Sequence, residues 1–287
     1  MKTITTKKTL LKAASSLVIA VSLVACSSPT TETTDVNTTK TDTPAAPANN
    51  AKESKAKKVF SSIPDPVVAT KILKDAGAKY NASYLNPVEN ASKYSSVKAK
   101  AINLGVFGSD LSFISLYDQT QESMLYLKCT NTLASSLGIS GAFDENTTSR
   151  IQANMDKKDT LLNIISGSYW TADKYLTGNG QPGVSSLIVA GGWIEGLYIA
   201  TRIANVTKNE AVSTQIAQQK TSLINLLDML DSFKAENNGT ADVIKSLTDL
   251  KQVFDNEAKD ASGKLTEAQL KAISDKTAEV RNSFIKP

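Results

Sequence analysis

Glu195 is the residue best placed to do chemistry in this chain. It is the one charge in Leu187-Ile-Val-Ala-Gly191-Gly192-Trp193-Ile-Glu195-Gly196-Leu-Tyr198-Ile-Ala200, a stretch apolar on nearly every side. A helix apolar all round is a membrane span or the centre of a core. As a span this one is short, about 17 residues, and a carboxylate at its midpoint would cost roughly 2.5–3.5 kcal/mol. The expectation is therefore a central buried helix, and a buried carboxylate needs a partner. Tyr198 lies one turn away and Arg202 two turns away on the same side, with lysines or backbone amides elsewhere as further partners. Two readings follow. In the first, Glu195 is a satisfied carboxylate that fixes helix register. In the second, Gly192 and Gly196 leave a hollow walled by Trp193 and Tyr198, with Glu195 as its polar handle and Arg202 close by.

A second carboxylate, Asp110, sits inside Asn103-Leu-Gly105-Val-Phe-Gly108-Ser-Asp110-Leu-Ser-Phe113, a run of small and apolar residues expected to pack against the central helix. If Asp110 and Glu195 faced one cleft within about 10 Å, the range of paired glycosidase carboxylates, a carboxylate-dependent hydrolase would be conceivable. Little other catalysis is left open. The chain has no histidine, which excludes Ser-His-Asp and Cys-His catalysis and histidine-ligated zinc or haem. Cys129, after Met124, Leu125, Tyr126 and Leu127, reads as a small buried hydrophobe. Ala258 to Gln269 imitates a calcium-binding loop with its central Gly263. The acidic first ligand and the final glutamate are missing, so a helix–turn–helix with Thr266 as cap is expected instead. Neither a metal nor any other cofactor is implied.

The start of the chain has its own logic. Lys2, Lys7, Lys8 and Lys12 precede an apolar run from Ala13 to Ala25, the layout of a secretory signal. Leu23-Val24-Ala25-Cys26 at its end resembles the lipobox of bacterial lipoproteins, in which the cysteine is acylated and becomes the mature N-terminus. Residues 1–25 are thus expected to be the signal peptide, and Cys26 the lipidation site. Residues 26–58, rich in Thr, Ser, Pro, Ala and Lys, cannot bury enough surface to offset ordering entropy and read as a solvated tether on the order of 30 Å in reach. Residues 59–287 form the globular domain.

Charge agrees with that division. The formal +4 belongs to the four signal lysines, so the chain from Cys26 is neutral. Within it the tether carries Lys40, Lys52, Lys55, Lys57 and Lys58 against Glu32, Asp35, Asp42 and Glu53, which leaves the domain at −1. No basic stripe of the kind that phosphate backbones require is present, so no nucleic-acid partner is expected.

The elements that must position these residues are helices. Pro64 and Pro66 open a helix from Val67 to about Lys79, and Asn86-Pro87 opens the next region. Helical spacing persists from Ala91 to Leu137, with an interruption expected at Gly105 and Gly108. Asp144–Met155, Asp159–Leu176, Val184–Val206, Asn209–Lys234, Thr240–Lys259 and Thr266–Ile285 follow. Strand-type alternation is nowhere sustained. The expected class is all-α, about eight helices in a bundle or irregular α-array.

The segments Asn103–Leu111, Gln121–Met124, Leu137–Ile139, Ala142–Asp144 and Gly191–Ala200 together resemble a group of helical lipoproteins of Bacteroidota-type bacteria. The resemblance implies a lipid anchor and a helical domain, and brings no activity with it. Ser27 after the cysteine is similar to the pattern of outer-membrane-directed lipoproteins. The acidic run typical of surface-exported ones does not follow Cys26, which points to an outer-membrane protein facing the periplasm. The sequence thus leads to a lipid-anchored envelope protein with a non-catalytic helical domain, serving a binding or structural role with an envelope protein as partner. The alternatives are a small-molecule site at Trp193, Glu195 and Tyr198, and the hydrolase above.

Overall fold

Helical periodicity translates directly into architecture. A computed structural model describes residues 58, 59, 61, 62, 72–143, 145–236, 239–258 and 263–287. The expected signal segment, Cys26 and nearly all of the tether lie outside the described residues. So do residues 67–71 of the helix expected from Val67, which is helical at residues 72–75, and residues 259–262 of the calcium-loop imitation. The described residues contain helices and no strands, an all-α fold.

Eight α-helices of eight residues or more occur among them. They are α1 (Val97–Ser115), α2 (Thr120–Ser136), α3 (Glu145–Gln152), α4 (Lys158–Gly178), α5 (Pro182–Thr207), α6 (Glu210–Asp231), α7 (Thr240–Glu257) and α8 (Glu267–Ile285). Before α1 the chain passes through two short 3₁₀ turns, Ala82–Tyr84 and Val88–Asn90. The starts obey capping chemistry. Ser96 Oγ accepts from the Ala99 amide, Asn209 Oδ1 from the Val212 amide, and Thr266 with Gln269 closes a reciprocal capping box. Gln269, which removes the calcium ligand, is thus the residue that completes the cap. The N-cap of α4 falls on Lys157, with Asp159 in the first turn.

α5 is the axis of the fold. It packs against α1 most extensively and also against α4, α6, α7 and α8. Its length and composition would suit a membrane span, yet 83% of its most apolar window is buried inside the protein, so the apolar surface is already matched by neighbouring helices. Phe107, Leu104 and Ile114 of α1, Leu161 of α4, Leu187 of α5 and Phe254 of α7 are fully buried in one core. Each such side chain contributes about 1.5–3 kcal/mol by leaving water.

Glycines 105 and 108 do not interrupt α1, contrary to the sequence expectation. The helix continues through both, and the break comes after Ser115, where Asp118 adopts a left-handed φ of 58°. Asp118 is one of the residue types that tolerate this conformation, and its carboxylate pairs with Lys158 at 2.5 Å. The glycines serve helix contact instead. A methyl group at Gly105 would fall 2.0 Å from the Ile188 carbonyl oxygen, and one at Gly191 would fall 1.8 Å from that of Ile102. One at Gly108 would overlap the Tyr169 hydroxyl, which donates to the Leu104 carbonyl at 3.0 Å. α1 and α5 therefore meet backbone to backbone along a glycine seam, reinforced by Ser109 Oγ donating to the Gly192 carbonyl at 2.7 Å.

Candidate functional site

The seam brings the two carboxylates singled out by sequence into one place. Asp110 from α1 and Glu195 from α5 are both fully buried and share a side-chain hydrogen bond. Their cation comes from α8. Arg281 Nε donates to Glu195 Oε2 and its Nη2 to Oε1, each at 2.8 Å, a two-pronged pair between residues 86 apart in the chain. Arg281 Nη2 also donates to the Tyr84 carbonyl at 3.1 Å, and the guanidinium stands 4.5 Å from the Tyr198 ring centre.

Charge balance decides the protonation. Two carboxylates and one guanidinium would leave one uncompensated negative charge in a site without water access, which is costly. Burial pushes the Asp110 carboxyl well above its usual range, and the neighbouring Glu195 charge pushes it further. Burial raises Glu195 too, but the Arg281 hydrogen bonds act against that rise. The same contacts hold Arg281 above its ordinary value, although burial alone would lower it. One proton is therefore retained, on Asp110, while Glu195 carries the charge that Arg281 balances. Asp110 Oδ1 has no hydrogen-bond donor among the described residues. That oxygen is therefore the one free to carry the retained proton toward Glu195. Asp110 Oδ2 accepts from the Asn86 amide at 3.1 Å.

Asn86 extends the cluster into a network. Its Nδ2 donates to Asn103 Oδ1 at 3.1 Å and to the Tyr94 hydroxyl at 3.0 Å, and its carbonyl accepts from the Tyr126 hydroxyl at 2.9 Å. Asn103 Nδ2 and the Tyr94 hydroxyl in turn donate to the Phe284 and Ile285 carbonyls at the end of α8. Burial pushes the Tyr94 phenol up to about 12 despite the opposing Asn86 hydrogen bond. These polar groups are paired with one another and wholly buried, so they lock α1, α2, α5 and α8 to the segment before α1.

The partners proposed from the sequence are displaced. Arg202, two turns from Glu195, does not reach it. Its guanidinium stands 4.8 Å from the Tyr198 ring centre, and its Nε has no acceptor among the described residues. Tyr198 is buried beneath both arginines and does not line a hollow with Glu195. Arg281 was missed because its contact is long-range. A signal existed: the chain has three arginines, and Arg281 falls at helical spacing on the apolar face set by Leu270, Ile273 and Phe284. Cys129 is buried as expected, and burial lifts its thiol to about 11, so it is not a ready nucleophile.

A hollow is present, on the other side of α5. An apolar cavity of about 240 Å³ is lined by Gly192, Trp193 and Gly196 of α5, with Phe113 and Leu116 before the α2 turn and Val212 and Ile216 of α6 among its other walls. Trp193 Nε1 donates to Gln219 Oε1 at 3.2 Å, which fixes the indole as a wall. The cavity reaches the surface at Gly196, which is exposed. Glu195, Tyr198, Arg202 and Asp110 take no part in it. No protein-family model, curated protein or solved structure matches this chain. Among the described residues no group of three or more histidines, cysteines or carboxylates could hold a metal ion.

Proposed function

We propose that this chain is a lipid-anchored cell-envelope protein whose helical domain binds or supports and does not catalyse. The observation carrying the non-catalytic reading is the sealing of Asp110 and Glu195. The two carboxylates do meet, as paired-carboxylate hydrolysis would need, but such chemistry also needs an open cleft admitting substrate and water between them. Here the pair is fully buried and already committed to Arg281 and to a shared proton. Both acids act as scaffold, and binding is left to other surfaces.

The anchor rests on the lysine-led apolar run and on Leu23-Val24-Ala25-Cys26. Acylation at Cys26 places the protein in the envelope, in the outer membrane facing the periplasm. The partners are then the membrane, through the lipid, and an envelope component held by the domain. Metabolic labelling with an alkynyl fatty acid tests this reading. Wild-type protein is expected to take the label and sediment with outer membranes, protected from protease in intact cells. Cys26→Ser is expected to lose both the label and the sedimentation, and a labelled Cys26→Ser protein would overturn the assignment.

A further inference from the structure

We propose that the cavity between α5, α6 and the end of α1 is a binding site for one small, uncharged, mainly apolar molecule carrying a single hydrogen-bonding group. The proposal rests on the reading of the domain as a binding module and gives it a site. Its first support is the unequal use of glycine along α5. Gly191 has no alternative, because any side chain there would strike the α1 backbone. Gly192 and Gly196 are under no such demand. A methyl group at Gly192 would meet its nearest neighbour at 3.5 Å, an ordinary contact, and one at Gly196 would meet nothing within 4 Å. Mid-helix glycine is disfavoured relative to alanine, and unfilled apolar space forfeits packing contacts. The two glycines that neighbouring helices do not require are the two that line the cavity.

Size and polarity set the class of ligand. An apolar cavity of about 150 Å³ accommodates a benzene ring, and drug-sized pockets start at about 300 Å³. At about 240 Å³ this one lies between, the size of a fused two-ring compound or a short acyl chain. Among the described residues no acidic or basic side chain lines it, so a charged ligand would lose hydration without compensation from them. The polar lining groups are mostly engaged already. Ser109 donates to Gly192, Ser112 to Gly108, and Gln219 holds Trp193 and the Gln215 carbonyl. Gln215 is half-buried, and its side-chain amide makes no hydrogen bond among the described residues. That amide is the group that meets the ligand's single polar atom.

Calorimetric titration of the full chain carrying Cys26→Ser, which avoids competing detergent, tests the site with 1-naphthol and 1-naphthoate as probes. Binding elsewhere on the chain is common to all variants and cancels in the comparison. One saturable 1-naphthol site is expected, with 1-naphthoate at least 10-fold weaker. Gly196→Leu and Ala200→Leu, which fill the cavity from successive turns of α5, are each expected to weaken 1-naphthol more than 10-fold at an unchanged or raised melting temperature. Gln215→Leu is expected to weaken it about 2- to 12-fold, the range of one net hydrogen bond. Undiminished binding in both filled variants would overturn the site, and equal binding of naphthoate would overturn the ligand class. Absence of saturable binding to a protein that still carries its Cys26 acyl group in cells would remove the site and leave the anchored-protein reading standing.

Discussion

Asp110→Asn is the substitution that most directly interrogates the buried cluster. Asparagine keeps the shape of the side chain. Its amide donates to Glu195 in place of the carboxyl proton, and its oxygen still accepts from the Asn86 amide. The wild-type carboxyl has a folded-state pKa raised above its unfolded value of 3.8. The folded protein therefore holds a proton that the unfolded chain releases as pH rises. For a raised acid the stabilising contribution is complete below the unfolded value and is lost as pH climbs toward the folded one. One retained proton corresponds to a slope of about 1.4 kcal/mol per pH unit in that window. Above the unfolded value, and up to the raised folded one, wild type should lose stability with rising pH that Asp110→Asn does not lose. Carboxyls outside the cluster titrate alike in both proteins and cancel, so the difference reports Asp110 together with its hydrogen-bonded neighbour Glu195. Urea unfolding followed by far-ultraviolet circular dichroism at several pH values gives that difference. Parallel stability curves for the two proteins would mean that Asp110 is ionised when folded, and the charge-balance argument would fail.

The remaining expectations concern the same cluster and the seam beside it. Arg281→Met leaves two buried carboxyls without a cation and should cost about 3–5 kcal/mol at neutral pH, read by the same urea titration. Glu195→Gln should cost distinctly less, because Asp110 can surrender its proton and become the counter-charge to Arg281. A larger loss for Glu195→Gln than for Arg281→Met would contradict the assigned proton. Gly191→Ala should destabilise by at least about 1–3 kcal/mol, since its methyl group would lie 1.8 Å from a backbone oxygen of α1. Gly196→Ala should be neutral or stabilising by up to about 1 kcal/mol in thermal melts. Thr266→Ala should remove the capping box of α8 and about 1 kcal/mol with it.

Local signals carried most of the fold. α7 and α8 were legible from the spacing of Val243, Leu247, Leu250 and Phe254 and of Leu270, Ile273 and Val280, because a one-faced apolar stripe admits one period. α5 was legible as a core helix because Glu195 makes a poor midpoint for a membrane span. The division of α1 from α2 was not legible. Gly105 and Gly108 look like breakers in one dimension and become contact residues only when α5 lies against them. The actual break, at Asp118, carries no glycine or proline. The cluster was half legible for a related reason. Burial of Asp110 and Glu195 follows from their apolar surroundings, whereas the choice of Arg281 over Arg202 depends on how α8 crosses α5. Periodicity along the chain contains no information about that crossing. Asn86 reads in the sequence only as the residue before Pro87, although its side chain and backbone connect α1, α2 and the Tyr94 segment before α1.

Arg281 also sets an order of events. A ribosome makes Asp110 and Glu195 long before it makes the guanidinium that neutralises them, 86 residues after Glu195. Until then the α1–α5 seam can close only over two acids that both lack a cation, which favours protonated or open forms over a locked one. A nascent chain lacking α8 thus carries a built-in delay. Docking of the last helix is the step that completes the charge balance of the cluster.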